Sequence, residues 1–357
     1  CFASYERSSN KPKLFVTYSN PPTGSLSHTS ITVNEGSTFQ LSLSASNAVS
    51  VTWGSLSSSV ATVSSTGLVT GVKAGSSQVF AKATNADGVS SYYYCTVYVT
   101  IPEGIYYFKN QLSLRFLTTD GKISNLTDVY QYNSYTASAA NIYRIRQMWR
   151  VKHIGNGKYV LRHLYKSDMA LYRDGTNAVV YNIGLSDSGV SSYAQWSIAW
   201  TGDGYVIRGG GNTSFTLQPE GQAATGGTSI VAGNETGNSA SRWNITAATD
   251  APTGVYLYDA AEAEMASSEV RYITPEESRT LSSLSLVAVA YSPNTTSQSF
   301  IWTSINLAAA TVNSSTGVVI GTAAGTATIT GRWSYDTSKT VTYTVNVTEI
   351  PSGTYFR

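Results

Sequence analysis

The side chains best suited to chemistry are few and widely scattered. The chain of 357 residues holds three histidines and two cysteines. His153 and His163 flank an expected hairpin ten residues apart, and His28 lies near the N-terminal end. That spacing matches no metal-binding helix of the HExxH kind, and a hairpin histidine is expected at the surface. Cys1 and Cys95 are too few for a disulfide framework and lack metal-ligand spacing. Cys95, inside "YYYCTVYV", reads as a buried small hydrophobe. Cys1 fits either a lipidated terminus or the first residue of an excised piece. No Gly-x-Ser-x-Gly elbow occurs, and "GGGNTSF" at 209–215 follows a strand pattern without opening a helix, so it is no phosphate loop. "EAEMASSE" at 262–269 clusters acids on one stretch with no carboxylate partner, and no calcium loop is present. The expectation is a non-enzyme with no metal site and no cofactor.

The elements that would have to position any site are strands. Charged residues make up 12% of the chain, about half the usual ~25%, while Tyr (25), Gly (30), Ser and Thr are plentiful. A net charge of +2 without a basic cluster argues against nucleic acid and anionic membrane as partners. No run of 18 apolar residues could span a bilayer. The N-terminal stretch "CFASYERSSNKPKLFVTYS" has no signal-peptide pattern, so the chain reads as a mature or excised segment. Period-two alternation as in "QVFAKAT", "KYVLRHL" and "VTYTVNV" predicts an all-β protein, with one weak helical stretch at 259–270.

Two repeats organise these strands. "VTWGSLSSSVATVSSTGLVTGVKAGSSQVFAKAT" (51–84) returns as "FIWTSINLAAATVNSSTGVVIGTAAGTATITGRW" (300–333), with Trp53 answering Trp302 and Gly67, Gly71 and Gly75 answering Gly317, Gly321 and Gly325. The echo continues to Pro102, Gly104 and Tyr106 against Pro351, Gly353 and Tyr355. A tryptophan between two sheets, short strands and turn glycines describe a small sandwich. The repeated unit resembles the bacterial immunoglobulin-like domain, group 2, which implies a spacer in secreted and surface proteins. The C-terminal copy departs from the pattern around 254–290.

Between the copies a shorter period appears. Trp149, Trp196 and Trp243 stand 47 residues apart, and the units open alike with "GIYYFKNQLSLRFL", "GKYVLRHLYKSDMALY" and "GYVIRGGGNTSFTLQ". Three such units bury their faces by closing on one another. The pattern resembles the ricin B-type β-trefoil lectin, whose repeats end in Gln-x-Trp. Gln147-Met148-Trp149 keeps the motif, whereas Ala194 and Ser241 replace the glutamine in the later repeats. The tryptophans are core residues in that family and speak for fold, not binding.

The resemblance implies carbohydrate binding, through an aromatic ring on the sugar's apolar face and a short polar side chain on its hydroxyls. The family's Asp after a hairpin Leu is missing from the pairs Leu114-Arg115, Leu171-Tyr172 and Leu217-Gln218. The second repeat offers the best set: Tyr172, Asp174, Asn177, Tyr181 and Asn182. Arg115, Tyr130, Tyr132 and Asn141 of the first repeat come next, with Arg115 suited to an acidic sugar, and the third repeat offers only Ala232 and Gly233. In so tyrosine-rich a protein, rings that merely cover strands are an equal alternative.

The expected architecture is a remnant strand and linker at 1–22, similar to the end of a DNRLRE-type domain, an Ig-like sandwich at 23–101, a trefoil at 102–249, a second Ig-like sandwich at 250–350, and the first residues of a further trefoil at 351–357. The expected role is a secreted or surface-displayed bacterial segment that binds a glycan or polysaccharide and does not span a membrane. The alternatives are a stalk with a degenerate trefoil that holds a distant domain or is recognised by a surface protein, and the accessory region of a secreted hydrolase.

Overall fold

The computed structural model describes residues 19–119, 123–134, 142–235, 237–252, 254–258, 271–273, 283–291 and 298–348. The expected remnant strand, the helical stretch at 259–270 and the truncated second trefoil lie outside them. The chain is all-β, and the longest α-helix among the described residues is the single turn Ile142–Ile145. None of the described helices is long and apolar enough to cross a membrane. Two compact units are distinguished, one holding the first sandwich and the other the two domains that follow.

The first domain has nine strands: β1 (Thr23–Leu26), β2 (Ser30–Asn34), β3 (Thr38–Gln40), β4 (Leu43–Ser46), β5 (Ser50–Ser55), β6 (Ala61–Val63), β7 (Leu68–Gly71), β8 (Gly75–Thr84) and β9 (Ser90–Thr100). They form a sheet of order β2-β9-β8-β5, a second of order β3-β7-β6, and a β1-β4 pair. Alternation buries Val79, Ala81 and Ala83 of β8 and Cys95 and Val97 of β9, together with Ala61, Val69 and Leu41. Gly67 must be glycine twice over. Its φ is +85°, and a Cβ there would meet the Leu41 carbonyl oxygen at 2.6 Å and the Trp53 ring at 2.8 Å. Trp53 itself is half-buried, so it leans on the turn and does not plug the core.

The middle domain has twelve strands: β10 (Gly104–Asn110), β11 (Phe116–Thr119), β12 (Thr127–Tyr132), β13 (Met148–Gly155), β14 (Lys158–His163), β15 (Met169–Asp174), β16 (Asn177–Asn182), β17 (Trp196–Trp200), β18 (Tyr205–Gly209), β19 (Asn212–Pro219), β20 (Thr228–Asn234) and β21 (Trp243–Ala247). Six of them close a ring, β10-β13-β14-β17-β18-β21 and back to β10. The other six form three hairpins, β11-β12, β15-β16 and β19-β20, whose second strands pair with one another around a triangle. A closed six-stranded barrel capped by three hairpins is a β-trefoil, and closure leaves the barrel no free edge.

The three tryptophans hold barrel to hairpins. Each is fully buried, and each indole N–H donates to the carbonyl of a hairpin leucine: Trp149 to Leu117 at 3.0 Å, Trp196 to Leu171 at 2.9 Å, Trp243 to Leu217 at 2.8 Å. A buried indole N–H needs such an acceptor, so the bond fixes where each hairpin sits. This corrects the first-repeat alignment, because the counterpart of Leu171-Tyr172 is Leu117-Thr118 and not Leu114-Arg115. Leu114 lies in the preceding loop, 62% exposed and at φ +57°. The glutamine ahead of Trp149 ties its loop back by donating to the Asn133 carbonyl at 2.7 Å. In the second repeat Gln195, one place later, does the same to Val190 at 2.8 Å.

The third domain repeats the first. Strands β22 (Gly254–Tyr258), β23 (Arg271–Ile273), β24 (Ser283–Ser285), β25 (Val287–Tyr291), β26 (Phe300–Ser304), β27 (Ala310–Val312), β28 (Val318–Gly321), β29 (Gly325–Trp333) and β30 (Thr340–Val347) order as β23-β30-β29-β26, β24-β28-β27 and β22-β25. The divergent stretch after 254 therefore supplies strands in the same places as β1 to β4. Gly317, at φ +73°, has Trp302 at 2.8 Å and the Leu286 carbonyl at 2.7 Å from a notional Cβ, the same contact as at Gly67.

Candidate functional site

The second-repeat hairpin turns at Gly175, φ +58°, which brings Asp174 opposite Asn177. The register then sets Tyr172 against Val179 and Ala170 against Tyr181. Because side chains alternate, Tyr172, Asp174, Asn177 and Tyr181 share the outer face, while Leu171, Ala178 and Val180 enter the core. Asn182 does not join them. It pairs with Met169 on the alternate face, its amide donates to Asp168 at 2.8 Å, and its Oδ1 accepts from the Gly184 N–H at 2.9 Å, so it closes the following turn.

The tyrosines stack. Tyr172 and Tyr181 lie 4.7 Å apart between centroids with 28° between planes, and Tyr193 approaches Tyr172 at 5.7 Å. The Arg173 guanidinium sits 5.1 Å from the Tyr193 ring and 5.2 Å from that of Phe215. Tyr172 is thus shared between two neighbours, whereas Tyr181 meets a single ring. Tyr193 was not anticipated from the sequence, and the signal for it was its place three residues before Trp196 in the turn Ser192–Ala194. What the hairpin offers a ligand is the half-buried ring of Tyr181 and, at the exposed tip, the carboxylate of Asp174 and the amide of Asn177.

The other repeats differ. Arg115 is bound to the third repeat, donating to the Ser113 carbonyl at 3.2 Å and also to the Ala224 carbonyl. Tyr130 donates to Asp128 at 3.3 Å and meets Tyr132 edge-on at 6.4 Å, and Asn141 lies outside the described residues. In the third repeat Gln218 donates to the Asn234 carbonyl at 3.3 Å, and the positions where a ring is expected are the buried Ala232 and the half-buried Gly233.

His163 is a correction of a different kind. It is fully buried, its Nδ1 accepts from the Lys166 N–H at 3.3 Å, and its Nε2 therefore donates to Thr119 Oγ1 at 3.0 Å. Burial, reinforced by Arg146, lowers its pKa to about 3, so the ring is a neutral packing element beside Trp149. His153 is half-buried against Tyr159 at 5.5 Å. Among the described residues no group of three or more His, Cys, Asp or Glu is placed to hold a metal ion.

Residues 22–96 match the model of the bacterial Ig-like domain (group 2). No curated protein matches the chain. Among solved structures, the chain is similar to a designed three-fold symmetric protein, ThreeFoil, at 24% identity over 40% of this chain and 98% of that one, with a TM-score of 0.34. It is also similar to the Rhizoctonia solani agglutinin (18% identity, 42% and 97% coverage, TM-score 0.34). A third is the C-terminal half of the earthworm R-type lectin, solved with GalNAc (16% identity, 40% and 98% coverage, TM-score 0.32).

Proposed function

We propose that this chain is a non-catalytic, extracellular carbohydrate-binding segment of a larger modular bacterial protein, in which Ig-like sandwiches space a trefoil that takes a glycan on its second-repeat hairpin. The observation that carries the reading is the outer face of β15 and β16, where the half-buried Tyr181 stacks on Tyr172 and the exposed Asp174 and Asn177 face each other at the hairpin tip beyond them. The tyrosine rings would hold the apolar face of one sugar unit, and the carboxylate and amide at the tip would take hydroxyls of a neighbouring unit, since Asn177 stands four residues along the strand from Tyr181. The Ig-like match at 22–96 supports the setting, since domains of this kind serve as spacers.

The test is a glycan array probed with the full chain. Tyr181→Ala is expected to reduce binding at least tenfold, and Asp174→Asn several-fold, without a change in thermal unfolding. Binding that survives Tyr181→Ala, or no bound glycan at all, sinks the proposal. The rival reading, a stalk with a degenerate trefoil, draws on the stack itself, because Tyr172 packed between Tyr181 and Tyr193 already fastens the hairpin to the turn before Trp196.

A further inference from the structure

The first sandwich carries rings on its solvent face that its sister does without. Phe80 of β8 lies across Gly54 of β5, where a Cβ would fall 2.4 Å from the ring. Tyr92 and Tyr94 of β9 stand beside it, at 5.6 and 6.0 Å between centroids. These two tyrosines are within 17° of parallel, 6.3 Å apart, and each 48% exposed. The Lys82 ammonium lies 5.8 Å from the Tyr92 ring. On the same outer side of β8, Gln78 and Thr84 alternate with the buried Val79, Ala81 and Ala83.

The third domain has the same strand order, and so serves as an internal comparison. Where β8 and β9 present rings, β29 presents Thr328 and Thr330 followed by Arg332 in the register of Lys82, and β30 presents Thr340, Thr342 and Thr344, alternating with buried residues in the same way. The sister sheet keeps the cation and closes without a ring at the places of Phe80, Tyr92 and Tyr94, so the fold does not need the tyrosines. Rings left half in water forgo burial worth roughly 25 cal/mol per Å². Lys82 is the ion of the face, and the carboxylates described in residues 19–98, Glu35 and Asp87, sit in turns beyond the strands.

We propose that this face of the first sandwich is a second ligand site, for an acidic polysaccharide. The negative ring faces of Tyr92 and Tyr94 attract the polarised C–H groups of a pyranose. Lys82 pairs with the sugar carboxylate, and no protein carboxylate on the face repels it. The surrounding side chains, Thr52, Gln78 and Thr84, are hydroxyls and an amide with no aliphatic member, which suits a hydroxyl-rich chain better than the apolar centre of a protein interface. The site lies in a different domain from the trefoil hairpin and does not depend on it.

Affinity electrophoresis of the full chain in native gels containing polygalacturonate, alginate or hyaluronate, with a neutral β-glucan in parallel, tests the assignment. At least one acidic polymer is expected to retard the protein more than the neutral one. Tyr92→Thr with Tyr94→Thr, which gives the face the residue type of its sister, is expected to weaken that retardation at least tenfold while the thermal transition stays in place. Lys82→Gln is expected to weaken it several-fold, and Tyr181→Ala to leave it unchanged. No retardation by any acidic polymer, equal retardation by the neutral glucan, or retardation that survives the double variant overturns the assignment. Retardation lost in Tyr181→Ala but kept in the double variant overturns it too, and places the binding on the trefoil.

Discussion

His163 shows how much one position can differ between repeats that share a backbone. It lies opposite Trp149 in the barrel, as Asn110 lies opposite Trp243 and Gly209 opposite Trp196. Asn110 Oδ1 accepts from the Ser113 N–H at 3.2 Å, three residues on, and His163 Nδ1 accepts from the Lys166 N–H with the same offset. A proton on Nδ1 would turn that acceptor into a donor facing a donor, in a fully buried position where a charge is costly. The ring stays neutral in the folded chain until pH falls to about 3, whereas unfolded it takes a proton near 6.5. Protonation between those values therefore favours the unfolded chain, and stability is lost as pH falls through that window, by up to ~1.4 kcal/mol per pH unit from this group. His163→Asn, which copies the first repeat, is expected to keep the stability measured at pH 7 to within about 1 kcal/mol and to flatten the decline between pH 6.5 and 4. A variant that loses stability with acid as steeply as the parent would refute this account of the buried ring.

The hairpins and turns show what the sequence could and could not disclose. The tryptophan period located the trefoil, and the repeated glycines located both sandwiches, because a buried indole and a left-handed turn each tolerate few alternatives. The first-repeat hairpin was misplaced because Trp149 lies 32 residues beyond its leucine, against 25 and 26 in the other repeats. Counting forward from the strand openings at Gly104 and Gly157 leads to Leu117 and Leu171 at nearly equal distances. The tilted contact of Tyr172 with Tyr193 was illegible, since it joins a hairpin to a turn some twenty residues on with no periodic signal between them. The turn glycines support a prediction at the same scale. Gly317→Ala places a methyl group 2.8 Å from Trp302 at φ +73°, and is expected to destabilise the third domain by roughly 1–3 kcal/mol. Gly36→Ala, at φ +77° but with nothing within 4 Å, is expected to cost the first domain only the backbone part, about 1 kcal/mol. Equal losses in denaturant titrations would show that the tryptophan contact contributes nothing.

At the scale of the whole molecule the described residues form three domains along the chain, each with its own sheets, and unfolding should show this. The barrel closes through its own six strands, and each sandwich orders its own sheets, so each core's cooperativity is generated within it. Calorimetry of the full chain is therefore expected to show more than one transition, in keeping with the two compact units. Trp196→Phe identifies which transition belongs to the barrel. It keeps most of the ring's apolar area but leaves the Leu171 carbonyl without the indole donor 2.9 Å away, inside a closed core. An acceptor stranded in this way costs about 1–3 kcal/mol, enough to lower one transition by several degrees in a domain of this size. The transitions of the sandwiches should not move, since no atom of their cores has changed. A uniform shift of every transition would mean that the domains unfold as one cooperative body, and the description of the chain as independent modules presenting separate ligand faces would have to be abandoned.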